Sequence, residues 1–298
     1  MSFFEEVDST GIVEKHINDV LQLEIDQQKI ILKSYRGIQQ DLLNKLARTN
    51  RGTFTDVHLR GVLAQVQGAI GAIVETLNGN MIQGAKIVAT KGIDHLIKEL
   101  QLFDRKFVGA VTPINLNVAL LAEDTSQLLI SRYRKNLDSY GTDLLAQVGK
   151  GLLSAAIGEA TQDEVIERIG HFFNGKEWEL RRLVRTELHG VYNRGKLNSM
   201  EELSDDIPDL LKTLMHPMDS RTGEDSIYAA QKHLVAKMDE DFHYTWNEIE
   251  RVFMVPPDRP NDRSVMVPYR REWGKIQGPA FIPGSFPKGL KDWALGLI

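Results

Sequence analysis

A glutamate set in the middle of an apolar helical stripe is the tightest limit on how this chain can fold. From Glu177 to Met200 the sequence reads EWELRRLVRTELHGVYNRGKLNSM, with Leu180, Leu183, Val184, Leu188 and Val191 at three- and four-residue steps. That spacing predicts one helix with one apolar face. Glu187 lies four residues past Leu183 and four before Val191, so its carboxylate falls on or beside the buried stripe. A buried carboxylate is costly unless a cation or several donors meet it. The stretch therefore predicts a partner from elsewhere in the chain, an arginine being the best fit. A second face carries Arg182, Thr186, His189 and Asn193, again at helical spacing, and its plainest reading is a solvated surface.

The rest of the chain has to supply that partner and a core. At 298 residues it has room for two ordinary domains, and 42% hydrophobic content excludes wholesale disorder. A net charge of -5 argues against a wholly basic nucleic-acid binder and leaves a local basic patch open. The absence of cysteine excludes disulfides, thiol catalysis and cysteine-ligated metal, and fits a reducing compartment. The first ten residues, MSFFEEVDST, are acidic and do not resemble an export signal. No apolar run approaches the roughly 20 residues of a membrane-spanning helix, so the expectation is a soluble protein.

Long helical patterns dominate the first two-thirds. Ile12 to Ala47 is amphipathic, with Ile17, Leu21, Ile25, Leu32, Tyr35, Leu42 and Leu46 near one face. Val57 to Leu77 and Met81 to Phe103 read as two helices separated by a turn at Asn78-Gly-Asn80. Gly61, Gly68 and Gly71 in the first, and Gly84, Ala85, Ala89 and Gly92 in the second, suggest close helix contact. A helix from Pro113 towards Tyr140, with Leu120, Leu121, Leu128, Tyr133 and Leu137 as core, is expected to break at Gly141-Thr142 and resume over Asp143–Gly158. Thr161 and Glu164 have capping-box spacing. The helix they start is expected to end at Asn174-Gly175.

After Met200 the texture changes. Lys212–Met218, Arg251–Val255 and Ser264–Val267 read as short strands, and Asp219–Gly223 as a tight turn. From Trp273 on, proline and glycine alternate with Phe281, Phe286 and Trp293, which predicts an extended tail anchored by aromatic groups. The fold class expected is α+β, predominantly α-helical. A helical N-terminal region (1–110) precedes a mixed domain with a small β-sheet (111–272) and the extended tail (273–298).

Standard catalytic signatures are missing: no GxSxG, Walker loop, HExxH or GxGxxG is present. No two of the eight histidines have the spacing of a helical metal pair, although His233 and His243 could meet across a hairpin. His216, Asp219, Glu224 and Asp225 form a polar cluster that suits either turn chemistry or a metal or acid–base site. Basic residues gather in Arg181, Arg182, Arg185, Arg194 and Lys196, and again in Arg259, Arg263, Arg270, Arg271 and Lys275. Of these, Arg182, Arg194, Lys196, Arg270 and Arg271 are the candidates for touching DNA phosphates.

Three pieces occur in order: Arg185-Thr186-Glu187 followed by Asn193; Asp219-Ser-Arg221-Thr; and Val255-Pro-Pro-Asp-Arg-Pro-Asn-Asp-Arg-Ser264 leading into Val265-Met-Val-Pro268. In that order and spacing they resemble the phage Mu F-like head morphogenesis family, minor head proteins of tailed bacteriophages. The resemblance spans roughly Asp143 to Arg271. The family pattern has an RTE-type helix, a D-x-R turn and a segment like P-P-x-H-P-N-C-R-C. Pro256, Pro257, Pro260, Asn261 and Arg263 match it, whereas Arg259 stands for the usual histidine and Asp262 and Ser264 for the two cysteines. Those replacements remove any metal-like use of the segment and leave its role as a turn. The resemblance implies that Arg221 or Arg263 meets Glu187, with Asn261 and Asp219 bonding backbone amides. It further implies a structural, non-enzymatic protein without cofactor or metal. Such a protein would reside in the virion head or portal vertex, after assembly in the host cytoplasm. Its partners would be the portal protein, the major capsid protein or packaged double-stranded DNA. The competing readings from the residues are a metal-dependent nuclease or transferase-like enzyme and a DNA-binding module.

Overall fold

The computed structural model describes residues 9–48, 56–107, 109, 114–156, 161–217, 222–259 and 262–273. Four long helices come first: α1 (Ser9–Arg48), α2 (Asp56–Phe107), α3 (Val118–Ala156) and α4 (Gln162–Leu203). A mixed segment follows, with β1 (Leu211–Met215), α5 (Glu224–Lys232), β2 (Val235–Ala236), β3 (Phe242–Trp246), β4 (Ile249–Phe253) and β5 (Val265–Tyr269). A predominantly helical chain with a small antiparallel sheet is what the sequence predicts. None of these helices is long and apolar enough to cross a membrane. The C-terminal tail and the turn at 218–221 lie outside the described residues.

Contacts divide the chain into two compact units. One comprises Met1–Glu24, Ala85–Ser126 and Leu188–Ile298; the other comprises Ile25–Gly84 and Gln127–Glu187. Each long helix contributes residues to both. The units therefore interleave along the sequence, unlike the consecutive division at about residue 110 expected from composition.

The three helix breaks expected at Asn78-Gly-Asn80, Gly141-Thr142 and Asn174-Gly175 do not occur, because these residues lie inside α2, α3 and α4. The reason is energetic. A glycine in a helix costs about 1 kcal/mol relative to alanine. One fully buried aliphatic or aromatic side chain contributes about 1.5–3 kcal/mol. In the second unit Ile73, Leu77, Leu137, Leu144, Val148 and Phe173 are all buried around those positions. Gly141 also has a packing use: a Cβ there would stand 2.9 Å from Val74 Cγ2. The Tyr35 ring packs on Tyr140 and Phe173, and its hydroxyl donates to the Phe173 carbonyl at 3.0 Å. The capping box at the start of α4 forms as predicted. The Glu164 N–H donates to Thr161 Oγ1, and the Thr161 N–H donates to Glu164 Oε2. Two expected core residues are misplaced: Ile25 and Leu120 are 46% and 56% exposed.

In the first unit α2 and α4 approach at small residues. A Cβ on Gly92 would lie 2.4 Å from the Tyr192 carbonyl, and one on Gly195 would lie 3.1 Å from that of Ala89. Gly92 and Ala89 thus serve the close contact expected of them, whereas a Cβ on Gly61, Gly68 or Gly71 would meet nothing within 4 Å. The sheet has order β2-β1-β5, all antiparallel, with Thr213 of β1 opposite both Val235 and Val267. β3 and β4 form a separate hairpin. Their two connecting residues, Asn247 and Glu248, both have positive φ (47° and 65°), which suits the right-handed strand twist. Lys212, the second residue of β1, is fully buried and donates to the Met238 and Met254 carbonyls. Burial pulls its ammonium down to about 8.

Candidate functional site

The His189–Asn193 end of the polar face of α4 is a clasp, while Arg182 at its other end is solvent-exposed. His189 and Asn193, four residues apart on the helix, are 1% and 0% exposed. Both reach the segment that enters β5. The His189 Nε2 donates to the Ser264 carbonyl at 2.7 Å, and Asn193 Nδ2 donates to the same carbonyl at 3.2 Å. Asn193 Oδ1 accepts from the Met266 N–H at 2.7 Å. One amide side chain therefore pairs with both a carbonyl and an N–H of the incoming segment, and without it the buried Met266 N–H would lose its partner. On its other side the His189 ring meets Glu24 of α1, with 2.6 Å between Nδ1 and Oε1. Both ring nitrogens face acceptors, so the imidazole holds two protons. Burial opposes that charge, but the Glu24 carboxylate and the Ser264 carbonyl raise its pKa above the ordinary histidine value.

Ser264 continues the network. Its hydroxyl lies 2.5 Å from Asp262 Oδ1 and 2.6 Å from His216 Nδ1. Asp262 also accepts from the Ser264 and Asp258 N–H groups. Burial pushes its carboxyl up, but His216 and Ser264 outweigh that, and the group is held below the usual carboxylate range. An ionised Asp262 is acceptor-only, so Ser264 gives it its single proton and accepts from His216 Nδ1. Burial pulls His216 down to about 4, which keeps it neutral near pH 7. A hydrolase triad needs histidine to bridge serine and aspartate. Here serine is the bridge, and its proton points at aspartate, so Ser264 is a structural link.

The Pro-rich loop attaches beside this clasp. Pro256 is buried, the Pro256–Pro257 bond is cis, and a Cβ on Gly190 of α4 would sit 3.4 Å from Pro257 Cδ. Arg259 spans Asp258 (2.7 and 2.8 Å), Asp225 (2.7 Å) and Ser226 (2.8 Å), tying the Pro-rich loop to the first turn of α5. Glu187 and Arg263 are buried, at 4% and 6% exposure, and for Glu187 that is the burial its place in the apolar stripe predicts. Each is engaged in a polar interaction, as is the half-buried Arg185. Thr186 is half-buried. Asp219, Arg221, Pro260 and Asn261 lie outside the described residues.

The cations expected to touch DNA fare unevenly. Lys196 is fully buried, with its ammonium 2.8 and 2.6 Å from the two Glu99 oxygens, and cannot reach a phosphate. Its helical position faces α2, and Glu99 captures it there. His16 shares the same carboxylate at 2.8 Å and stacks on His95 at 3.7 Å between ring centroids. Arg270 is drawn to Asp104 and Glu272. Arg194 is half-buried, Arg182 lies over the Trp178 ring at 4.8 Å, and Arg182 and Arg271 are exposed. The polar cluster at the turn is partly assembled. Asp225 sits beside the Asp262–Ser264–His216 link, Glu224 is exposed, and Asp219 is outside the described residues. His233 caps α5 in a left-handed conformation against Tyr269 instead of pairing with the exposed His243. Among the described residues no group of three or more His, Asp or Glu is placed to hold a metal ion.

Sequence reasoning missed His189 and Ser264 as organising residues. The signal was present in the four-residue step from His189 to Asn193, which points both at one neighbour. Comparison with family models, curated proteins and solved structures finds no match to this chain.

Proposed function

We propose that this chain is a structural minor head protein of a tailed bacteriophage, similar to the Mu F-like head morphogenesis family. In that role it associates with the portal or the inner capsid and assists head assembly and genome packaging or delivery. The observation that carries the reading is the grip of Asn193 on Ser264 and Met266. It joins two pieces of the motif, the α4 helix and the Pro-rich segment before β5, that are about 70 residues apart in sequence and that each carry part of the resemblance. The surrounding polar groups are spent on holding chain segments together: Arg259 on Asp225 and Asp258, His189 on Glu24, Ser264 on Asp262. A scaffold requires such fixed joints, whereas catalysis requires an activated group facing substrate.

The test is co-purification with the portal protein encoded in the same genome, using the full chain and a version ending at Trp273. The expected outcome is a stable complex with the full chain that resists moderate salt. Absence of the chain from purified heads, together with no portal complex, would overturn the reading. The DNA-binding alternative rests on the exposed Arg182 and Arg271. It predicts affinity falling steeply with salt, and apolar docking to a portal does not.

A further inference from the structure

Two buried histidine contacts hold the start of α1 in the first unit, and they answer to acid in opposite ways. At one, the His16 ring of α1 lies flat on the His95 ring of α2, with 3.7 Å between centroids and 5° between planes. Both rings are buried, together with Val13, Ile17 and Val20 of α1. His16 Nδ1 meets Glu99 Oε1 at 2.8 Å, and Lys196 of α4 takes both oxygens of that carboxylate. His95 Nε2 faces Asp19 Oδ2 of α1 at 3.6 Å, and its Nδ1 lies 2.9 Å from the Tyr192 hydroxyl of α4. Burial holds the Tyr192 phenol well above its ordinary value, so it keeps its proton. With a carboxylate before Nε2, the neutral His95 ring carries its hydrogen there and accepts at Nδ1 from Tyr192. A second proton would have to sit on Nδ1, against the Tyr192 hydroxyl proton. The resulting cation would lie on the His16 ring and feel Lys196, Lys91 and Lys98. The opposing carboxylates give little relief: Asp19 is 36% exposed, and Glu99 is taken by Lys196 and His16. Burial, with His16 and those lysines, pulls His95 down to about 2.

The second contact is Glu24 with His189, at 2.6 Å. Burial opposes the charge on His189, but Glu24 and the Ser264 carbonyl raise its value, so acid leaves this pair intact. An opened form that lets water reach His95 takes up a proton near the ordinary histidine value of about 6.5. The closed form resists one down to about 2. Acid therefore favours opening, by at most about tenfold per pH unit below about pH 6.5. The proton is gained in the opened form, so the inaccessibility of the closed ring is the source of the coupling.

We propose that the stacked His16–His95 pair is an acid-released latch: on acidification the α1 turns from Val13 to Val20 leave α2 and α4, while Glu24 stays pinned to His189. The latch does not depend on the role in head assembly. The test is hydrogen exchange of the full chain at about pH 7 and about pH 5, with each rate corrected for the pH dependence of chemical exchange. Protection over residues 13–20 should fall about tenfold or more, while β1, β5 and the backbone around Glu24 change less than about threefold. His95→Gln keeps an acceptor for Tyr192 and does not titrate, and His95→Phe keeps a flat ring against His16. Either variant should hold protection over residues 13–20 within about threefold across the same range. His216→Phe, which removes a separate acid-sensitive group, should keep the fall seen in the parent. Circular dichroism checks that each variant is folded, and the parent alone decides the matter if neither His95 variant folds. Equal protection of residues 13–20 at the two pH values in the parent would overturn the proposal. So would an equal fall throughout the first unit, or a parent-like fall in a folded His95 variant.

Discussion

Ser264 joins two buried histidines held in opposite protonation states, and the pH dependence of stability follows from that. The folded pKa of His216 is about 4, below its unfolded value of about 6.5. Between those values the unfolded chain binds a proton that the folded chain does not. Stability from this group is therefore complete above about pH 6.5 and falls as pH drops, by at most about 1.4 kcal/mol per pH unit. His189 has a raised folded pKa, so its contribution is present below about pH 6.5 and is lost as pH rises through the folded value. Urea unfolding from pH 4.5 to 9 should show His216→Phe flattening the acid limb and Glu24→Gln flattening the alkaline limb. Parallel curves for parent and variants would contradict both assignments. Asn193 gives a sharper case, since Met266 donates to its Oδ1 while its Nδ2 donates to Ser264. Asn193→Ala should cost about 1–3 kcal/mol for the Met266 N–H left unpaired. Asn193→Asp keeps that acceptor but turns a second oxygen towards the Ser264 carbonyl, and should destabilise more than alanine does. An aspartate variant as stable as the parent in denaturant titration would mean the amide donor is not used.

At the scale of elements, α2 and α4 meet through backbone, with Gly92 against the Tyr192 carbonyl and Gly195 against that of Ala89. Gly92→Ala places a carbon 2.4 Å from a main-chain oxygen, which no side-chain rotation relieves. A loss of about 1–3 kcal/mol is expected, as for overpacked cores. Gly68→Ala, with nothing within 4 Å, should instead gain about 0.5–1 kcal/mol from helix propensity. Thermal melts of the two variants should move in opposite directions. The same glycines show what the sequence could and could not reveal. Helix existence was legible from periodicity, and the α4 start from Thr161 and Glu164, because those signals are local. Helix ends were not legible at Asn174-Gly175 or Gly141. A weak local breaker competes there with burial of Phe173, Leu137 and Leu144, which only the tertiary arrangement supplies. β1 was legible as a short strand after the acidic stretch, and β4 and β5 in β-branched runs, while β3 and the two-residue β2 were not, being defined by their pairing. At the site, Glu187 was legible as buried because it interrupts an apolar stripe. His189 and Lys196 were not, since their partners Glu24 and Glu99 are about 165 and 97 residues away.

Over the whole molecule, those distant partners decide where the chain can be divided. Composition suggests a cut near residue 110, but the first unit draws on Met1–Glu24 and Ala85–Ser126 as well as Leu188–Ile298. A fragment of residues 111–298 keeps Lys196 and His189 and loses Glu99 and Glu24, which meet them at 2.6 Å in both pairs. An ion pair broken by removing one buried partner costs about 3–5 kcal/mol, because the remaining charge stays desolvated. The two losses together approach the whole stability of an ordinary domain, about 5–15 kcal/mol. The fragment would also lose the apolar cover from Val88, Ile93, Leu96 and Leu100. It should therefore lack a cooperative melt and near-ultraviolet circular dichroism. Lys196→Met with Glu99→Leu, made in the full chain, removes both charges and should be far less damaging than Lys196→Met alone, which leaves Glu99 buried beside only His16. The double-mutant cycle and the fragment probe the same dependence by separate routes. If the fragment melts cooperatively, or if the single and double variants are equally destabilised, the buried ion pairs do not bind α1 and α2 to the C-terminal segment.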